Sequence, residues 1–144
     1  MQLDDLYRRV IMDHYKNPRN RGLFEDDSLK VELNNPTCGD RITLQLKVED
    51  GRVKDARYAG EGCSISMSSA SMMTESVKGR TVEEALDLAG RFSRLMQGEE
   101  VNFDDYEDIE ALAGVNKFPA RIKCATLAWN ALRKGIDEEE RQHS

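Results

Sequence analysis

The sequence predicts an α+β fold, a small three-stranded antiparallel sheet with helices packed on it. Two observations carry this. Ile42, Leu44, Leu46 and Val48 alternate with Thr43, Gln45 and Lys47 and run towards Asp50-Gly51, a two-residue hairpin signal. On both sides of that region the apolar residues recur at helical spacing instead. A chain of 144 residues suits one domain with one sizeable core, spanning 1–144.

The elements follow in order. Leu3, Leu6, Tyr7, Val10, Ile11 and His14 share one helical stripe, and the helix is expected to stop near Asn17-Pro18. His14 lies on that apolar stripe and is read as a packing or hydrogen-bonding residue rather than a ligand. His143 falls in the C-terminal tail and is set aside. Residues 17–27 are polar and read as a loop. A short strand around Leu29–Leu33 precedes the alternating strand, and the hairpin returns over about Val53–Tyr58.

Gly60-Glu61-Gly62-Cys63 closes the return strand, where glycines permit positive φ and close backbone approach. Ser64 to Val77 contains six serines among Ile65, Met72, Met73 and Val77, which suggests a closely packed helix of small side chains. Cys63 is placed at or just before its N-terminus, where free amide N–H groups favour a thiolate. Thr81-Val82-Glu83-Glu84 has capping-box spacing. Val82, Ala85, Leu86, Ala89, Phe92 and Met96 then form an amphipathic helix stopped by Gly98. A short acidic helix is expected over Asp105–Leu112. The last helix starts near Phe118-Pro119, with Phe118, Ile122, Ala125, Trp129 and Leu132 as its buried stripe and Cys124 at the border of that face. Arg133-Lys134-Gly135 reads as its stop, which leaves 137–144 as an acidic tail expected to fray.

A net charge of −6 argues against nucleic acid as the main ligand. No apolar run approaches the roughly 18–20 residues of a membrane helix. The acidic start, Met1-Gln2-Leu3-Asp4-Asp5, lacks the order of a signal peptide, so a cytoplasmic protein is expected. Three cysteines in that compartment point to metal binding or thiol chemistry rather than a structural disulfide, with buried thiols acting as small hydrophobes as the alternative.

Each cysteine falls at an element boundary or an early helical turn. Cys38, Asp40, Cys63 and Cys124 are therefore read as one metal site. Three thiolates and a carboxylate suit tetrahedral zinc, and Gly39 lets Cys38 and Asp40 face one ion. There is no Cys-x-x-Cys pair and no zinc-finger spacing. The same ligand types serve an iron–sulfur cluster, so they do not by themselves choose between the two.

Asn35-Pro36-Thr37-Cys38-Gly39-Asp40, Gly60-Glu61-Gly62-Cys63-Ser64-Ile65-Ser66 and Arg121-Ile122-Lys123-Cys124-Ala125 resemble the three cysteine motifs of the IscU/NifU-like iron–sulfur cluster assembly family. Met12-Asp13-His14-Tyr15-Lys16-Asn17-Pro18-Arg19-Asn20 extends the resemblance to nearly the whole chain. Lys123 stands where scaffold members carry a histidine, and Phe118-Pro119-Ala120-Arg121 replaces their Leu-Pro-Pro-Val-Lys segment. With the extra sequence around Gln97 to Gly114, these departures resemble the SufU branch. That resemblance implies a zinc-bound sulfurtransferase, an acceptor and activator that takes persulfide sulfur from a pyridoxal-phosphate-dependent cysteine desulfurase (SufS-like). Downstream cluster-assembly proteins are the other expected partners. The family alternative is a scaffold on which a cluster is built and passed on. Cys38, on a glycine-flanked loop, is the expected acceptor. Arg121, three residues before Cys124 on the same helical face, is expected to balance the site's negative charge or to contact the partner, and Lys123 is expected to contact the partner.

Overall fold

The computed structural model describes residues 3–26, 28–36, 39–103 and 106–142. Helix α1 spans Leu3–Lys16. Strands β1 (Leu29–Asn35), β2 (Asp40–Glu49) and β3 (Arg52–Glu61) form an antiparallel sheet in the order β1-β2-β3. Helices α2 (Ser64–Val77) and α3 (Val82–Met96) follow, then a 3₁₀ segment over Glu107–Lys117 and helix α4 over Pro119–Gln142. This is the expected α+β architecture. No helix among the described residues is long and apolar enough to cross a membrane.

The hairpin turn has Asp50 at φ 53 and Gly51 at φ 73, the two positive values that a tight right-twisted hairpin needs. It sets a register in which Leu44 lies opposite Val31 on one side and Tyr58 on the other. Those side chains, with Ile42, Leu46, Val53 and Ala56, form the buried face of the sheet. Helix α4 covers that face over β1 and β2, and α2 covers it over β3. On the opposite face the loop before β1 caps Gln45, whose Oε1 accepts the Phe24 N–H at 2.8 Å. Its Nε2 donates to the Ser28 carbonyl at 3.2 Å, so this fully buried amide is satisfied.

The serine-rich helix α2 is buried along most of its length and lies between α1, α4 and the sheet. Its hydroxyls bond to the backbones of neighbours. Ser68 Oγ donates to the Ile11 carbonyl at 2.7 Å and Ser69 Oγ to the Ala125 carbonyl at 2.6 Å. Small side chains permit the close approach, and each buried hydroxyl finds an acceptor there. Trp129 stacks on Phe92 at 5.0 Å and donates its indole N–H to Ser69 Oγ. The capping box on α3 is present: Thr81 Oγ1 accepts the Glu84 N–H at 3.1 Å, and Glu84 Oε1 accepts the Thr81 N–H at 3.0 Å.

Four expectations need correction. Leu86 is 37% exposed, and Leu88 takes the buried position on α3. Phe118 is 58% exposed just before α4, because the preceding 3₁₀ segment turns it outward instead of extending the buried stripe. Gly135 does not stop α4. A Cβ there would lie 2.8 Å from Leu46 Cδ1, so the glycine lets the helix cross the sheet closely. The helix accordingly runs on to Gln142, with Ile136 buried against the core, and the acidic residues 137–140 are helical. The short acidic helix begins at Glu107 and continues to Lys117 in 3₁₀ form; Asp105 lies outside the described residues, as does His143.

Candidate metal centre

The site forms where the start of β2, the N-terminus of α2 and the second turn of α4 meet. Asn35 and Asp40 are the last paired residues of the β1–β2 ladder. The Gly39 N–H donates to the Asn35 carbonyl at 2.9 Å, with Gly39 at φ 72. The chain between them must reverse in four residues, and a left-handed glycine permits that. Asp40 is thereby held inward, 1% exposed.

Cys63 is the N-cap of α2, in extended conformation, with no side-chain cap of its own. Asp40 reaches this helix end from β2. Its Oδ1 accepts the Cys63 N–H at 3.0 Å, placing a carboxylate at the positive end of a helix dipole. Gly62 makes the contact possible, since a Cβ there would lie 2.5 Å from both Asp40 Oδ1 and Ser66 Oγ. Gly60, at φ 140, approaches the Arg41 backbone too closely for any side chain. The two glycines therefore act differently: Gly60 lets the β2 backbone approach closely, and Gly62 leaves space for the carboxylate. The Cys63 thiol reaches Ser66 Oγ at 3.9 Å.

Cys124 enters from α4. It is 2% exposed, its thiol donates to the Ala120 carbonyl at 3.8 Å, and Asn35 Nδ2 donates to its sulfur at 4.0 Å. The sulfurs of Cys63 and Cys124 and a carboxylate oxygen of Asp40 lie within 4.8 Å of one another. Ligands on a tetrahedral ion with bonds of about 2.0–2.3 Å sit roughly 3.5–3.8 Å apart, so rotamer-scale adjustment closes the set. Asp40 Oδ2 is buried with no hydrogen-bond partner among the described residues. An uncompensated buried carboxylate oxygen is costly, and a cation removes the cost. Two sulfurs and one carboxylate oxygen fit zinc by donor type.

Cys38 lies outside the described residues, as does Thr37; Pro36 and Gly39 on either side of the pair are described. Arg121 and Lys123 are both exposed on the first turns of α4. His14 is not part of the centre. It is fully buried, with Nδ1 2.8 Å from Ser71 Oγ and Nε2 2.8 Å from Asp108 Oδ2. Asn35 and Ser66 were not anticipated from sequence. Their signal was adjacency alone, Asn35 three residues before Cys38 and Ser66 three after Cys63.

Residues 6–143 match the family described as NifU-like N terminal domain. The chain is 61% identical over 139 residues to the protein of Bacillus subtilis (strain 168) named zinc-dependent sulfurtransferase SufU, covering 96% of this chain and 94% of that one. It is 49% identical to the iron–sulfur cluster assembly scaffold protein IscU of Streptococcus pyogenes serotype M1, covering 94% of this chain and 85% of that one. The crystal structure of an N-terminal nitrogen-fixing NifU-like protein from Brucella abortus superposes with a TM-score of 0.89 over 97% of this chain and 98% of that one. At 23% identity that likeness concerns the fold alone.

Proposed function

The chain belongs to the NifU-like N-terminal domain family, and from that premise we propose that it is a zinc-dependent sulfurtransferase of iron–sulfur cluster assembly, folded as one domain over 1–144. The donor is a pyridoxal-phosphate-dependent cysteine desulfurase, and downstream cluster-assembly proteins receive the sulfur. Cys38, Asp40, Cys63 and Cys124 hold the zinc, Cys38 accepts the sulfur, and Arg121 and Lys123 meet the donor. The observation that supports this reading most is the buried convergence of Asp40, Cys63 and Cys124 with one carboxylate oxygen left without a partner among the described residues.

When bound, zinc supplies a charge that keeps cysteine thiols deprotonated without redox chemistry of its own. The remaining roles fall to the chain. Asp40 ties the start of β2 to the N-terminus of α2 through the Cys63 N–H. Asn35 directs a donor at the Cys124 sulfur. The Cys38 thiolate attacks the outer sulfur of the donor's cysteine persulfide. A new S–S bond forms on Cys38 as the donor's S–S bond breaks, and the donor cysteine departs as a thiolate. One sulfur atom moves, and no outside oxidant or reductant is used.

The test combines metal analysis with mass spectrometry. Protein purified without added metal is expected to be colourless with one zinc. Incubated with the desulfurase and cysteine under non-reducing conditions, it should gain one sulfur atom, and a folded Cys38→Ala variant should gain none. A brown protein carrying iron and labile sulfide would favour the scaffold role instead. If Cys38→Ala gains the sulfur and Cys63→Ala does not, Cys63 is the acceptor.

A further inference from the structure

Beside the metal centre, α1, the N-terminus of α2, the 3₁₀ segment and the start of α4 enclose a cleft of about 570 Å³. Its apolar lining includes Ile11, Met12, Ile65, Val115 and Phe118. Phe118 is the most exposed large apolar side chain among the described residues, at 58%. The charged residues lining the cleft are Arg8, Lys117 and Arg121, all cations, on a chain whose net charge is −6. None of the three is ion-paired among the described residues. The cleft therefore carries a local charge opposite to that of the whole molecule and a bare aromatic beside it.

Its position is as informative as its composition. Ser64, which lines it, directly follows the metal-site residue Cys63. Arg121, also in the lining, is three residues before Cys124 and shares its helical face. A chain lying in the cleft passes next to both.

We propose that this cleft is the docking site for an acidic segment of the sulfur donor, one that carries an apolar side chain flanked by carboxylates. The inference rests on the sulfur-acceptor reading above and adds to it the recognition chemistry. Carboxylates on the segment meet Arg8 and Lys117, which steer the encounter and set its salt dependence. The apolar side chain displaces water from the lining around Ile65 and Phe118 and acts as the anchor. Docking there brings the donor's persulfide to the centre while the docking contacts themselves are made beside the ligands, not on them.

The experiment titrates the zinc-loaded full chain with the cysteine desulfurase, by calorimetry at low and high salt and by turnover against acceptor concentration. Arg8→Glu combined with Lys117→Glu should raise both the Kd and the half-saturating concentration at least tenfold. Plateau turnover should stay within twofold, zinc content should be unchanged, and the steep salt dependence of the wild type should flatten. Phe118→Ala should weaken binding with little change in salt dependence. If Phe118→Ala fails to fold, the two exposed charge reversals carry the test. A Kd within twofold of wild type in the charge variant overturns the proposal. So does a wild-type dimer that the charge variant dissociates, which would make the occupant a second copy. Wild type that binds through the cleft but gains no sulfur refutes the acceptor reading and leaves the docking site standing. Wild type that does neither removes both.

Discussion

Two buried polar clusters on helix α2 are built from similar parts and come to opposite ends. In the middle of the helix, Ser71 Oγ lies 2.8 Å from His14 Nδ1 and accepts the Arg19 N–H at 2.9 Å, while His14 Nε2 meets Asp108 Oδ2 at 2.8 Å. An ionised carboxylate only accepts, so the Nε2–H donates to Asp108. Both nitrogens of this fully buried ring are matched, and the ring fastens α1 and the 3₁₀ segment to α2. At the N-terminus of the same helix, Asp40 Oδ1 has the Cys63 N–H, but Oδ2 has nothing among the described residues and two sulfurs converge on it. A buried polar cluster completed by its own chain is a clasp. One left incomplete, with soft ligands aimed inward, is a receptor for an ion.

The largest expected effect breaks the clasp. His14→Ala leaves a cavity and strips partners from Ser71 and Asp108, at a cost of about 3 kcal/mol. Calorimetry should record a Tm lower by roughly 10 °C, with zinc content unchanged. A melt indistinguishable from wild type would show that the completed cluster holds nothing together. Next comes Gly62→Ala, whose Cβ would press on Asp40 Oδ1 and Ser66 Oγ. Metal affinity should fall by about 10–100-fold, as when a ligand's support is lost, in a competition titration with a chromophoric chelator. Unchanged affinity would mean that the Asp40 position does not matter to the ion.

Asp40→Asn sharpens the contrast by changing sign with metal. Without metal, the unpartnered charge is gone and the variant should be about 1 kcal/mol more stable than the metal-free wild type. With zinc the order should reverse, because metal binding energy is folding energy. Urea melts with and without chelator read both halves. The same order in both conditions would remove Asp40 from the ligand set.

The smallest effect concerns Tyr106, which lies edge-on to His14 at 6.3 Å. Burial, with the nearby Asp108 charge, pushes its phenol up to about 12. The unfolded chain loses that proton near pH 10 while the folded chain keeps it. The stabilisation is therefore fully present below about pH 10 and is lost as pH rises through about 12. Tyr106→Phe should shallow the alkaline slope without abolishing it, since burial raises Tyr58 as well. An unchanged slope would place Tyr106 outside the cluster's electrostatics.

Local chemistry was legible wherever it was self-contained. The Asp50-Gly51 turn, the Thr81–Glu84 capping box and the N-cap position of Cys63 each depend on a few adjacent residues, so they survive without knowledge of neighbours. The packing role of His14 could be read from its apolar stripe, but Asp108, 94 residues away, could not. Phe118 and Leu86 show the limit of periodicity, which marks an apolar face without saying what covers it. Gly135 shows another, because a glycine that ends a helix and one that lets it cross a sheet look alike in one dimension.

The sequence by itself determined the kinds of donor atom, the strand pair that carries Asp40 and the helix end that carries Cys63. Only the tertiary structure decided that Asp40, Cys63 and Cys124 share one point, and that Gly62 clears the space between them. The reason is physical. Ligand type is a property of single residues and helix ends of short segments. Convergence depends on how α2 and α4 are packed against the sheet, and that is settled by burial across the 60 residues of intervening chain between Cys63 and Cys124.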